Sequence, residues 1–405
     1  MTQETEPSAE TRWPAGVGMI YLGMSPWNSM WKNRHQLMSR FALQMPVLYV
    51  EPPVFVRSLR DQGLTSASFW RGFRTPLTRS EGGGLHVMQS PHYLPVSGPK
   101  GVGAFLRRRW LAAIRSSARR AGIARPILWV SLPEQASAVG HLGEALSIYH
   151  IVDEYSGYTV EDEDLRQRLM GAEQALLDSV DLSIVVSDEL MAAKSDGQRQ
   201  VYLVENAVDY ARFAEARQRA ATPPDLAAIP GPRLGYSGLI GKRLNLSLLG
   251  TLAKAHPDWS LVLLGKVDRR QCEAELVALE SMNNVHFLGR KEPHEVPDYV
   301  TGLDVGLLPY EINTETQHIS PLKMFEYLGA GLPVVSTGIP AARRKAAFVA
   351  IGEDSASFIR ACEDAVAEDR CTRFDERVSE AAANTWDQRV EQISTLLRRH
   401  LGAGV

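Results

Sequence analysis

The chain comprises 405 residues, 44% of them hydrophobic and 22% charged, proportions of a soluble globular protein rather than of a disordered chain or a coiled coil. That length corresponds to two domains of about 100–200 residues each. A formal net charge of −3, from 44 basic and 47 acidic residues, lacks the basic bias of a dedicated nucleic-acid binder, and no apolar run approaches the roughly 18–20 residues that span a bilayer.

Thr2 to Glu10 are acidic and polar, without the basic-then-apolar layout of a secretory leader, and 1–14 reads as a disordered tail. Cys272, Cys362 and Cys371 are far apart with no C-x-x-C spacing, so a reducing, cytoplasmic setting is expected. Short β-rich runs then alternate with amphipathic stretches, the pattern of βαβ units and parallel sheets. Strands are expected at 17–22, 47–50, 85–89, 127–131, 147–152, 182–187 and 201–204. They are continuous apolar runs, as parallel strands buried on both faces require. Residues 57–84, with scattered Gly, Ser and aromatic residues, read as a loop-rich insertion. Apolar periodicity stops between 214 and 232, where Thr222-Pro223-Pro224 and Ile229-Pro230-Gly231-Pro232 carry linker chemistry. A second series follows at 233–236, 260–264, 285–288, 305–308, 333–336 and 348–351, with amphipathic segments at 244–255, 269–281 and 321–330. The stretch from Trp386 to Leu401 reads as a closing helix with Val390, Ile393, Leu396 and Leu397 on its apolar positions.

Two doubly wound halves follow from this pattern, and ligands of such sheets sit beyond the carboxyl ends of the strands. No G-x-G-x-x-G follows a strand: Gly16-Val17-Gly18 and Gly82-Gly83-Gly84 each precede one, and there is no Walker A sequence. The most informative stretch is 318–337. Ser320 reads as the N-cap of a helix, Pro321 as its first residue and Gly331 as its stop. A helix N-terminus there presents free N–H groups and a positive dipole to an anion, ideally phosphate. Lys323 in the first turn is locally unfavourable unless an anion compensates it. Glu326, one turn on, is suited to accept from the hydroxyls of a ribose. The bland alternative is a Lys323–Glu326 surface pair on a packing helix.

The stretch Pro321-Leu322-Lys323-Met324-Phe325-Glu326-Tyr327-Leu328-Gly329-Ala330-Gly331-Leu332-Pro333-Val334-Val335 resembles the donor-site segment of retaining GT-B glycosyltransferases, family-4-like (glycosyl transferases group 1). Asn206-Ala207-Val208-Asp209 through Phe213, Gly235-Tyr236-Ser237-Gly238, His256-Pro257-Asp258-Trp259 and Asn284-Val285-His286-Phe287-Leu288-Gly289 continue the likeness in the expected order. Arg34-His35-Gln36 and Tyr149 to Tyr155 resemble first-domain segments of the polysaccharide-assembly branch. The resemblance implies two Rossmann-like domains facing across a cleft, with the C-terminal helix crossing back onto the first. The expected division is a tail 1–14, an acceptor domain 15–213, a linker 214–232, a nucleotide-sugar donor domain 233–385 and the crossing helix 386–405.

On the matching positions, Arg243 and Lys323 would contact the donor diphosphate and Glu326 the ribose. Gly238 would allow close backbone approach, while Ser320, Pro321 and Leu322 would hold the distal phosphate and the sugar. The sequence departs from the pattern at His318, where the family carries a glutamate that contacts the transferred sugar, and at Ala207, where it carries glycine. Gly238 follows a serine, so Arg243 alone supplies charge in that loop. The implied reaction is retaining transfer from a UDP-, GDP- or dTDP-linked sugar to a glycan, lipid-linked or small-molecule acceptor, without cofactor. No metal is expected: Asp162-Glu163-Asp164 opens a helical pattern, and two cations with a helix dipole stabilise the leaving diphosphate electrostatically.

Asp153 and Glu154 follow a strand and are candidates for acceptor binding, with Asp153 also a candidate base; the alternative is capping of the next helix. Ser25 and Asn28 after the first strand, and Glu134 after the fourth, are further acceptor-side candidates that equally suit turns and caps. His150, inside a strand pattern, reads as a core histidine. From Phe105 to Arg125 the chain carries Arg107, Arg108, Arg109, Arg115, Arg119 and Arg120 without an acid. Such a helix suits peripheral contact with the inner face of a membrane; the alternative is a solvated helix packed on the first sheet. Two rival functions stay open: a nucleotide-sugar epimerase on the same fold, and a non-catalytic nucleotide-sugar-binding partner protein, the latter suggested by His318.

Overall fold

The computed structural model describes residues 13–53, 78–90, 102–154, 163–369 and 371–402. These form two compact units. The first comprises the described parts of Met1–Val185, Met191–Val204 and Val390–Val405; the second comprises Val186–Leu190 and Glu205–Arg389. Residues 1–12 of the expected tail and 57–77 of the expected insertion lie outside the described residues.

The first unit holds β1 (Val17–Leu22), α1 (Asn33–Phe41), β2 (Val47–Val50), β3 (Thr78–Gly82), β4 (Leu85–Met88), α2 (Val102–Arg120), β5 (Arg125–Val130), β6 (Leu146–Ile151), α3 (Glu163–Ser179), β7 (Leu182–Val185) and β8 (Val201–Leu203). The strands form one sheet in the order β3-β4-β2-β1-β5-β6-β7-β8, parallel except for β3 against β4. Every residue of β1, β2, β6 and β7 is buried. This is the signature of strands covered on both faces, and it explains why the sequence marks them so clearly. β3 differs from expectation. Its residues Thr-Arg-Ser-Glu-Gly are all exposed, so no apolar pattern announces it, and pairing with β4 alone makes it a strand.

In the second unit, α4 (Tyr210–Arg219), β9 (Arg233–Ser237), α5 (Leu246–Ala255), β10 (Ser260–Leu264), β11 (Val285–Gly289), β12 (Val305–Leu308), α6 (Leu322–Gly329), β13 (Val334–Thr337), β14 (Val349–Gly352) and α7 (Ser355–Ala367) alternate. Its wholly parallel sheet runs β11-β10-β9-β12-β13-β14. The segment 214–232, expected as a linker, is partly helical. α4 continues to Arg219, a short turn of helix covers Pro224–Ala227, and Leu226 is fully buried. Pro224 starts that turn rather than extending the chain, and the whole segment belongs to the second unit. The closing helix α8 (Trp386–Gly402) starts in the second unit, and its residues from Val390 belong to the first, with Ile393, Ser394 and Leu397 fully buried.

The strand orders locate the sites. In the first sheet β1 lies between β2 and β5; in the second β9 lies between β10 and β12. At both places successive connections leave in opposite directions, opening a crevice beyond the strand ends.

Two histidines of the first unit are buried and neutral. His35 on α1 accepts from the Lys32 N–H through Nδ1 at 2.9 Å and donates through Nε2 to the Trp27 carbonyl at 2.8 Å. Burial, followed by the nearby Arg34 charge, pushes its pKa down to about 4. His150 in β6, packed edge-on to Trp129, is lowered to about 4 by burial. The unfolded chain binds these protons near pH 6.5 while the folded chain refuses them until about pH 4. Stability present above pH 6.5 is therefore lost as pH falls toward 4, by about 2–3 kcal/mol for each histidine. Denaturant titrations at pH 7.5 and pH 5 should show this loss, and equal stabilities at the two would contradict it.

Candidate functional site

The second-unit candidates gather at the carboxyl edge of the sheet. Gly238 directly follows β9, and its N–H donates to Leu264 O at 2.8 Å. A Cβ at Gly265, whose φ is +148°, would lie 1.7 Å from Gly238 O, so the ends of β9 and β10 touch backbone to backbone. The next loop folds back onto the end of β12: Leu244 bridges to Tyr310 and Asn245 N–H donates to Pro309 O at 2.7 Å. Asn245 also caps α5 through Oδ1, which accepts the Leu248 N–H at 2.8 Å. These contacts fix Arg243. Its Nε and Nη2 both reach Glu315 Oε1 at 2.6 Å. Glu315 is 8% exposed, while the Arg243 side chain is 35% exposed and keeps one flank toward solvent.

Between β12 and α6 the chain is tied by Asn313, whose Oδ1 accepts from Glu315 N–H at 2.9 Å and Thr316 N–H at 3.0 Å. His318 closes a 3-10 turn. Its Nδ1–H donates to Thr314 O at 2.8 Å, and its carbonyl accepts from Ser187 Oγ at 2.8 Å. Ser320 is buried, with its carbonyl accepting from Asn206 Nδ2 at 2.7 Å. The sequence reading of Ser320 as N-cap is corrected: Pro321 occupies the cap, the helix begins at Leu322, and no side chain caps it. The first amides of α6 therefore remain donors without an intrahelical acceptor. Lys323 and Glu326 bond to each other, Nζ to Oε2, at 2.8 Å, with side chains 22% and 19% exposed.

Beneath these charges lie three tyrosines that sequence reasoning missed as a group. Tyr236 and Tyr310 meet edge to face, ring centroids 6.4 Å apart, and the Tyr327 hydroxyl accepts the Ser237 N–H at 2.9 Å. Burial raises all three pKa values, Tyr310 to about 12, so they stay neutral. The Tyr310 hydroxyl also feels Arg243, which lowers its pKa, and Glu326, which raises it. Arg243 and Glu326, 83 positions apart in sequence, therefore act on one buried hydroxyl.

In the first unit, the loop after β1 carries Ser25 and Asn28. Ser25 Oγ lies 3.0 Å from Ser29 Oγ, the Ser25 carbonyl accepts from the Tyr49 hydroxyl at 2.7 Å, and Asn28 is exposed. Glu134 is exposed on the turn Pro133–Ala138. Its neighbour Gln135 does the local positioning, donating to Leu22 O at 3.0 Å and accepting from Ser131 N–H at 2.8 Å. Asp153 is half-buried two residues beyond β6. Glu154 departs from its expected acceptor-side place. It is 4% exposed and bonds Lys194 Nζ at 2.9 Å, as does Glu173, which also accepts from the Tyr149 hydroxyl. A buried ammonium needs such partners, and that requirement turns Glu154 inward. Among the described residues no group of three His, Cys, Asp or Glu side chains is arranged to hold a metal.

Residues 242–368 match the model of the glycosyl transferases group 1 family. That segment belongs to the family. The group 1 domain thus contains Arg243, Glu315 and the whole of α6. A Bacillus subtilis (strain 168) protein named as a teichuronic acid biosynthesis glycosyltransferase, TuaH, is 30% identical over 241 residues. The match covers 56% of this chain and spans 59% of the length of that relative. Among solved structures, sucrose-phosphate synthase from Thermosynechococcus elongatus superposes with a TM-score of 0.69 at 16% identity, over 96% of this chain and 100% of that one. HepE from Anabaena, solved with UDP and glucose, gives 0.63 at 15% identity over 94% and 99%. Both likenesses show the GT-B fold, two parallel-sheet α/β domains, as the sequence resemblance implied.

Proposed function

We propose that the chain is a retaining, metal-independent glycosyltransferase that moves a sugar from a nucleotide diphosphate to a glycan, lipid-linked or small-molecule acceptor. The observation that carries this reading is the placement of Arg243, Lys323, Glu326 and the uncapped start of α6 at one sheet edge inside the group 1 domain. HepE, of the same fold, is solved with UDP and glucose, which favours a nucleotide-sugar donor here too.

In this reading Gly238 and the Ser320-Pro321-Leu322 backbone approach the donor, with His318 beside the sugar. Arg243 and Lys323 face the diphosphate, and Glu326 takes the ribose hydroxyls. As the glycosidic bond breaks, negative charge grows on the leaving diphosphate while the sugar becomes oxocarbenium-like. Two cations and oriented amides stabilise that charge without reorganising. Each cation already holds a carboxylate, Glu315 or Glu326, so donor binding exchanges one anion for another rather than introducing new charge. Retention without a protein nucleophile lets the leaving phosphate help deprotonate the acceptor. Ser25, Asn28, Glu134 and Asp153 are the acceptor-side groups, with Asp153 as assisting base. The relative's name, a teichuronic acid biosynthesis glycosyltransferase, favours a glycan acceptor.

Among the described residues no helix is long and apolar enough to cross a membrane. Peripheral contact would use α2, which holds six arginines and no acid and exposes 57% of Phe105, with Arg109 over its ring.

Lys323→Ala and Glu326→Ala should each weaken UDP, GDP or dTDP binding by about 10- to 100-fold, the worth of a charge-assisted hydrogen bond; calorimetry showing unchanged affinity would remove the donor site. Transfer should persist in EDTA and give a product with the donor's anomeric configuration by NMR. Inversion, or loss of turnover in EDTA, would overturn the mechanism, and donor binding with no transfer to any acceptor would favour the binding-protein reading raised by His318. Co-sedimentation with anionic phosphatidylglycerol vesicles should drop severalfold on replacing Arg108 and Arg109 with Glu; equal binding by both forms would exclude the α2 contact.

A further inference from the structure

A cavity lies in the second unit, away from the donor candidates, none of which lines it. It occupies about 440 Å³ and opens between the starts of β13 and β14, where Val334 and Val349 line it, and the side of α7. Those strand starts form the amino-terminal edge of the sheet, opposite the edge of Gly238, Arg243 and α6. Its volume falls in the range of about 300–1,000 Å³ usual for small-molecule sites.

The chemistry of its wall is anion-seeking. Arg377, 2% exposed, lines it, and its Nη2 donates to both oxygens of Glu368 at 2.5 and 2.7 Å. The Arg377 Nε and Nη1 atoms are buried and have no hydrogen-bond partner among the described residues. A guanidinium has donors only and keeps its proton, so Glu368 alone leaves the buried Arg377 charge only partly compensated. Arg360 and Arg373 line the same cavity with Asp364 and Glu368, and Arg373 is already paired with Glu376 at 2.9 Å. Phe348 supplies an apolar wall, with the Arg373 guanidinium 6.0 Å over its ring.

We propose that this cavity binds a phosphate-bearing small molecule, its phosphate on Arg377 and Arg360 and its apolar part against Phe348. The Arg360 and Arg377 guanidiniums suit a phosphate monoester, which carries a charge of about −1.5 to −2 at neutral pH. The site is independent of the donor nucleotide, since none of Arg243, Lys323 or Glu326 lines it.

Phenyl phosphate is the probe, titrated calorimetrically into the full chain at fixed ionic strength with chloride as the control. Saturable binding should appear in the wild type and in Lys323→Ala. It should weaken at least tenfold in Arg377→Met and in Arg360→Ala. Arg360 is exposed, so its replacement leaves folding intact and decides the matter if Arg377→Met does not fold. Absence of binding above the chloride control overturns the proposal. So does binding that Lys323→Ala abolishes while Arg360→Ala retains it, because the phosphate would then sit at the donor site.

Discussion

One buried side chain ties the candidate donor site together. Tyr327, on the inner face of α6, receives the Ser237 N–H at the end of β9 through its hydroxyl and lays its ring on β12. The ring comes so close that a Cβ at Gly306 would lie 2.5 Å from it. The helix carrying Lys323 and Glu326 is thereby fixed to the two neighbouring strands β9 and β12. Met324, Phe325 and Leu328 bury the rest of that face, each contributing about 1.5–3 kcal/mol by leaving water. The polar face of α6 gains its rigidity from this apolar one.

A second theme is charge held in reserve. Arg243 is kept on Glu315, Lys323 on Glu326, and Lys194 between Glu154 and Glu173. Arg243, Lys323 and Glu326 are partly exposed, while Glu315 is buried; the third cluster is sealed. The difference in burial separates groups that can serve a ligand from groups that hold the first unit in shape. A partly exposed pair such as Lys323–Glu326 is worth little to stability. Breaking the sealed cluster would strand a carboxylate or an ammonium in the interior.

Much of this architecture was legible in the chain. Parallel strands buried on both faces appear as unbroken apolar runs, so Val47–Val50, Ser260–Leu264 and Val305–Leu308 stand at the expected positions. The motif around Lys323 and Glu326 was legible because its parts are neighbours on one helix. Glu315 was not, since its partner Arg243 is 72 residues away and no local spacing links them. Glu154 was misplaced for the same reason: its partner Lys194 is 40 residues on, and a carboxylate after a strand looks alike whether it points outward or in. Ser320 lost its capping role by a single residue, within the ordinary blur of helix ends.

The outermost strands of the first sheet carry a consequence of their own. A parallel sheet with an open apolar margin invites another chain to extend it. Here one margin is β3, entirely exposed, with Arg79 bonded to Glu81. The other is β8, only three residues long, with Tyr202 bonded to His400 of the closing helix at 3.0 Å. The ion pair on one rim and the shortness of the other discourage edge-to-edge pairing with another chain.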